Sequence, residues 1–292
     1  MLPLVALTQA EVDAVVATVP GGAPNVQDIY PLAPLQEGIL FHHLMAPDDD
    51  PYLLSNMMAF DSRELLDAYL GALQSVIDRH DILRTAIVWQ GVSEAVQVVW
   101  RHAPFVVEEV ELDPSDGRLT RQLTARFGPR RMRLDITRPP LVRGYIAHEP
   151  AHANGTGRWL LLLLQHHLIG DQATLTVTHD EVTANLAGNA DKLPVPLPFR
   201  NLVAQARRAG SREEHDAFFR NLLGDVIEPT APFGLLKMDA DASVSRGTAT
   251  VDADVTRRLH ACAQSLAVGV ASICHVAWAL VLARISGRED VV

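Results

Sequence analysis

The sequence predicts a mixed α/β (α+β) protein built in more than one lobe. Three observations carry this expectation. Leu66, Tyr69, Leu70, Leu73, Val76 and Ile77 recur at the three-to-four spacing of one buried helix face. Two pairs of short apolar runs, Ala86–Trp89 with Ala95–Trp100 and Leu141–Ala147 with Arg158–Gln165, read as strands. The chain has 292 residues, 48% of them hydrophobic, which is about the size at which a single core stops growing and a chain divides.

Element by element, Thr8–Val19 reads as a short helix broken by Pro20-Gly21-Gly22-Ala23-Pro24. Asp61-Ser62 can cap the strong helix over Leu66–Ile77. A hairpin is expected around Gln90-Gly91, and Phe105–Val110 adds a further strand. Leu119, Leu123 and Phe127 mark a helix ended by Gly128-Pro129. The run from Trp159 to Leu164 lacks polar alternation, so that strand is buried on both faces. It leads into His166-His167, with Asp171 placed to cap a helix through Leu175, Val182 and Leu186. Lys192–Phe199 contains three prolines and reads as an interlobe connection. Helices are expected at Asn201–Arg208, Arg212–Leu223, Val255–Leu266 (capped by Asp254) and Ala271–Ile285, with a strand at Thr248–Val251. The closing Asp290-Val291-Val292 would ordinarily begin another strand, which suggests a fragment.

Composition narrows the function. A formal charge of -10 and a pI near 5.6 disfavour a dedicated nucleic-acid binder. Cys262 and Cys274 are too few for a disulfide framework and fit a reducing compartment, with cytoplasm the default. The start reads as neither signal peptide nor anchor, and no run reaches the roughly 18 apolar residues of a membrane span. Asn154-Gly155-Thr156 matches a glycosylation sequon but carries little weight without a secretory signal. There is no GxSxG elbow, P-loop or GxGxxG after a strand.

What remains is histidine chemistry. In an extended stretch His166 and His167 point to opposite faces, so one packs in the core while the other meets a cleft. An imidazole at the end of a buried strand, with Asp171 four residues on, suits proton transfer near neutral pH; the rival is two packed histidines beside a capping Asp171. A metal held by this pair and a carboxylate is disfavoured, because neighbouring strand histidines diverge. A second doublet, His42-His43, follows Tyr30-Pro31-Leu32-Ala33-Pro34-Leu35-Gln36-Glu37-Gly38 near the end of a short helix, where the dipole favours partial positive charge. Arg79-His80-Asp81-Ile82-Leu83-Arg84-Thr85 closes the strongest helix, and Arg84 could pair with a buried carboxylate such as Asp171.

Taken in order, these segments resemble the condensation domains of nonribosomal peptide synthetases. Tyr30–His43 is similar to the family's opening motif, Arg79–Thr85 to RHExLRT with Asp81 in the Glu position, and His166–Gln172 to HHxxxDG with Gln172 in place of the final Gly. His42-His43-Leu44-Met45-Ala46-Pro47-Asp48-Asp49-Asp50 resembles the HH[IL]xxxxGD motif of dual epimerization/condensation domains, with Asp49 where that motif has Gly. The resemblance implies a two-lobed fold like chloramphenicol acetyltransferase, with residues 1–190 as the N-terminal lobe and 191–292 as a partial C-terminal lobe. A tunnel between the lobes would admit phosphopantetheine arms from both sides.

By the same resemblance His167 is the catalytic residue of an acyltransferase that joins carrier-bound thioesters, with prior L-to-D epimerization of the donor residue. His166 is a packing residue, Asp171 and Arg84 form a structural ion pair, and His42-His43 shapes or assists the second proton-transfer face. The fragment alone would be inactive. A condensation-only or epimerization-only domain, or a truncated noncatalytic module, stands as the alternative. The implied partners are upstream and downstream peptidyl carrier proteins and an adenylation domain of the same synthetase, with no nucleic acid, membrane or metal. No cofactor binds directly, since phosphopantetheine arrives on the carriers. Because the chain is acidic, carrier docking is expected to use local basic groups and apolar contacts.

Overall fold

The computed structural model describes residues 4–45, 50–150, 157–208, 212–235 and 247–292. It divides into two compact units, Met1–Gly210 and Ser211–Val292.

The first unit opens with α1 (Gln9–Thr18), started by a capping box in which Thr8 and Glu11 satisfy each other's backbone N–H. Strand β1 (Val26–Pro31) precedes α2 (Pro34–Met45), whose first residue is a proline with no N–H to leave unpaired. Strand β2 (Leu53–Phe60) leads to α3 (Arg63–Arg79), capped by Ser62. The expected hairpin is present as β3 (Thr85–Val88) and β4 (Val96–Trp100). Gly91 in its turn has φ 74, a left-handed conformation that favours glycine. Then come β5 (Val106–Glu109), α4 (Leu119–Phe127), β6 (Val142–Glu149), β7 (Arg158–His166), α5 (Gln172–Leu186) and α6 (Phe199–Arg208).

Two sheets result. One has the antiparallel order β1-β4-β3; the other has the order β2-β7-β6-β5, antiparallel except that β5 pairs parallel with β6. That parallel pair requires a crossover, which α4 supplies. Strand β7 is second in its sheet and buried on both faces, as expected. Leu160, Leu162 and Leu164 pack in one cluster with Leu119, Leu123 and Phe127 of α4, while Leu161 joins Leu66 of α3 in another.

Strands β1 and β2 were not expected. Both are outermost in their sheets, where β1 can end in Pro31 and carry an irregularity between Val26 and Asp28. The Leu, Met, Ala and Asn residues of β2 have no marked strand preference. Pairing with β7 from Leu53↔His166 to Phe60↔Trp159 decides their conformation instead.

The proline-rich stretch does not end the first compact unit, which runs to 210 rather than 190. Helix α6 belongs with it: Val203 packs fully buried against Tyr30 and Val99, Arg200 pairs with Asp28 at 3.1 Å, and the Phe199 N–H bonds Asp81 at 2.9 Å.

The second unit contains α7 (Arg212–Leu223), α8 (Ala253–Ser265) and α9 (Val270–Ser286). Residues 247–252 form no strand, contrary to expectation, and Asp252 rather than Asp254 caps α8. Residues 290–292 are not a strand either, although Val292 exchanges two hydrogen bonds with Thr230. Helix α9 ends on Gly287 in the left-handed conformation, and its Val276, Trp278 and Leu280 are exposed. No single helix among the described residues is long and apolar enough to cross a membrane.

Leu161→Ala, at a wholly buried position, should lower stability by about 2–5 kcal/mol in denaturant unfolding, whereas Leu197→Ala, exposed, should stay within about 0.5 kcal/mol.

Candidate functional site

Successive peptides of a strand turn their N–H groups to opposite sides, and this divides the His166-His167 doublet. The His166 N–H reaches the Leu141 carbonyl at 2.9 Å, beside β6; the His167 N–H reaches the Tyr52 carbonyl at 2.8 Å, beside β2. Their side chains divide as well. His166 is wholly buried and His167 half-buried, as alternation predicts. After His167 the chain leaves the sheet through a short 3₁₀ turn into α5.

The second doublet divides in the same way. His43 is buried and His42 exposed, and both buried histidines converge on one carboxylate. His43 Nδ1 lies 2.7 Å and His166 Nε2 3.0 Å from Asp50 Oδ2, while Asp50 Oδ1 accepts the Tyr52 N–H at 3.2 Å. Burial alone would raise the Asp50 pKa, but the hydrogen bonds from His166 and His43 outweigh it and hold the carboxyl far below the usual aspartate range. The half-buried Tyr52 ring stands 5.9 Å from His42 and 6.4 Å from His167, centroid to centroid.

His43, Asp50 and His166 are thus a candidate metal-ligand group, with ligand atoms within 4.8 Å of one another. They differ from the residues considered from sequence, and hydrogen bonding already accounts for them. The Leu168 N–H donates to His166 Nδ1 at 3.1 Å, so Nε2 carries the proton and meets Asp50 as a donor, not as a lone pair. His43 Nδ1 likewise donates, because a carboxylate can only accept.

The other motifs brace this arrangement. Gln36, buried in α2, exchanges two amide hydrogen bonds with Gln97 of β4 and donates to the Leu168 carbonyl at 2.8 Å. At the end of α3, Arg79 and His80 meet Glu181 of α5 at 3.0 and 2.8 Å. Asp81, its pKa raised by burial, accepts the Ile82 and Phe199 N–H groups. Arg84 does not pair with Asp171. Its buried guanidinium donates to the Ile77 carbonyl at 3.2 Å, to Gln27 at 2.9 Å and to the Trp100 carbonyl, fastening α3 to β1 and β4. Carbonyl groups rather than the expected carboxylate absorb its donors.

Asp171 is exposed and acts as the N-cap of α5, accepting the Thr174 N–H at 3.0 Å. That bond holds its carboxyl below the usual range, which makes it a poorer base. Gly170 is required by space: a Cβ there would stand 2.6 Å from the Thr174 side chain. Gln172, the first residue of α5, lines a cavity of about 470 Å³ together with Gln165, His179, Met58 and Tyr69. Sequence reasoning did not single out Asp50, Tyr52, Gln36 or Glu181 as site residues. Asp50 had a signal, being the final acid of the motif that begins at His42, but residues 46–49 and the sequon at 154–156 lie outside the described residues.

With two histidine doublets, their braces and their order in the chain established, comparison with known proteins becomes decisive. Residues 26–292 match the condensation domain family. The chain belongs to that family. This condensation domain is 47% identical over 293 residues to malpinin synthetase and to malpibaldin synthetase of Mortierella alpina, and 30% identical over 298 residues to a linear gramicidin synthase of Brevibacillus parabrevis. These alignments cover 99–100% of the chain but only 4–5% of each relative. Among solved structures, the first condensation domain of the calcium-dependent antibiotic synthetase, in complex with a substrate analogue, matches with a TM-score of 0.63 at 18% identity, over 91% of this chain and 64% of that one. The condensation domain of monacolin K polyketide synthase matches with 0.59 at 17% identity, over 90% and 61%. These likenesses give the condensation domain the mixed α/β, chloramphenicol acetyltransferase-like fold.

Two outcomes follow from the carboxylates. Asp171→Ala should lower stability by about 1 kcal/mol while Asp171→Ser, which keeps a capping oxygen, loses only a fraction of that in the same unfolding assay. Asp50 has a depressed folded-state pKa, so its stabilisation is complete above the unfolded aspartate value of about 3.9 and is lost as pH falls through the folded one. The slope of stability against pH below about 4 should therefore be shallower in Asp50→Asn than in the wild type; equal slopes would remove Asp50 from the acid limb.

Proposed function

We propose that this condensation domain forms a peptide bond between two carrier-bound thioesters within a nonribosomal peptide synthetase, and that His167 carries the reaction. The observation behind this reading is the placement of a half-buried imidazole at the mouth of a buried strand, its backbone fixed by the Tyr52 carbonyl and its neighbour His166 locked in the core. Amide formation needs a neutral acceptor amine aimed at the donor carbonyl. His167 holds that amine and takes the proton it loses as the C–N bond forms; the proton then leaves with the departing thiol as the C–S bond breaks. No resident cofactor enters the scheme: phosphopantetheine belongs to the upstream and downstream carrier proteins, and an adenylation domain of the same synthetase supplies the activated residue.

The finer reading is the dual one, in which the donor residue is converted from L to D before condensation. It draws support from the His42-His43…Asp50 segment, which meets the main motif through Asp50 and Tyr52. Epimerization removes the Cα proton on one face and returns it on the other, with the enolate oxygen stabilised between. His167 serves one face. His42, exposed and 5.9 Å from the Tyr52 ring, is the histidine of the second doublet outside the core and serves the other.

In the intact domain with donor and acceptor carriers loaded, His167→Ala should reduce the single-turnover condensation rate by about 10²–10⁴-fold; a wild-type rate would refute the assignment. Chiral analysis of product made from an L-configured donor should find the D residue. Product that keeps the L configuration would reduce the reading to condensation alone.

A further inference from the structure

We propose that Asp50 is a positioning residue for His167, acting through the two buried histidines and the Tyr52 peptide. This rests on the role of His167 proposed above and adds how its geometry is set.

The argument is one of connectivity. Asp50 is 2% exposed, and both of its oxygens are engaged: Oδ2 by His43 and His166, Oδ1 by the Tyr52 N–H. It is therefore not a proton acceptor for substrate. Two routes lead from it to His167. One runs through the His166 ring, the side chain adjacent in sequence, whose other nitrogen accepts the Leu168 N–H at 3.1 Å. The residues on either side of His167 are thus tied together beneath it. The other route runs through Tyr52, whose N–H is on Asp50 and whose carbonyl receives the His167 N–H at 2.8 Å. Movement of this carboxylate displaces the His167 peptide from both sides at once.

The same connectivity gives the second doublet a role. His43 completes the grip on Asp50, and its own carbonyl is held by Arg133. His43 thus contributes as part of the mount beneath His167 and takes no part in proton transfer. The segment that resembles the epimerizing subtype is, on this view, physically the support of the main histidine motif.

Asparagine at position 50 tests this, because its amide keeps one oxygen and presents N–H to the remaining donors. In the intact domain, Asp50→Asn should lower kcat for condensation of loaded carriers by about 10–100-fold, the scale of a misplaced reacting group, with KM unchanged. In protein labelled with ¹⁵N-histidine, the His43 and His166 ring N–H resonances held by Asp50 should be lost in Asp50→Asn and kept in His167→Ala. His43→Gln, which retains an N–H donor, should keep more activity than His43→Phe. That pair decides the question if Asp50→Asn does not fold.

Leu161→Ala provides the stability control. If it lowers kcat as much as a His43 or Asp50 variant of equal unfolding midpoint, the role is only structural and the proposal is overturned. Wild-type kcat in Asp50→Asn, or a loss confined to KM, would also overturn it. Retained activity in His167→Ala would instead defeat the underlying reading, and the resonances would still report whether the Asp50 network exists.

Discussion

A strand buried on both faces cannot carry polar side chains along its length, and this constraint on β7 shapes the rest of the first unit. From Leu160 to Leu164 the strand has core on either side, α4 on one and α3 on the other. Its polar groups are displaced to its end, where His166 still lies in the core and His167 begins to leave it. A buried imidazole there must find hydrogen-bond partners or be costly. The carboxylate that meets it comes from the turn before β2, the neighbouring strand. Burying that carboxylate is itself costly unless it is fully hydrogen-bonded, and His43 and the Tyr52 N–H complete its shell.

The order of motifs in the chain therefore has a mechanical meaning. Gln36 holds the Leu168 carbonyl from below, and Arg79 and His80 anchor the middle of α5 through Glu181. Asp171 starts that helix, while Gly170 lets the chain turn closely against Thr174. Each motif is far from the others in sequence, and each fixes a different stretch between His166 and Glu181. Such a frame limits the freedom of His167 without contributing a reacting atom, which is how distant groups affect rate.

The division of labour within each doublet follows from the same physics. Alternation on a strand and angular separation on a helix both put adjacent side chains on different sides. Each pair therefore has one member for the core and one for the outside. His43 and His166 are the inner members, packed edge to face 5.3 Å apart, and His42 and His167 flank the Tyr52 ring.

The sequence by itself determined what local pattern and motif order can carry: the strong helix α3, the β3–β4 hairpin, the double burial of β7, the capping role of Asp171 and the resemblance to condensation domains. Periodicity and capping act over a few residues, so they are readable along the chain. Tertiary structure alone decided β2, whose Leu, Met, Ala and Asn residues have no marked strand preference and are extended because β7 pairs with them. It also decided that Arg84 satisfies carbonyl groups instead of Asp171, and that Asp50, already bonded to His43, meets His166 across 116 residues of sequence. Those are choices among hydrogen-bond partners, and a donor's partner is set by what the fold brings within about 3 Å, which no spacing in the sequence records.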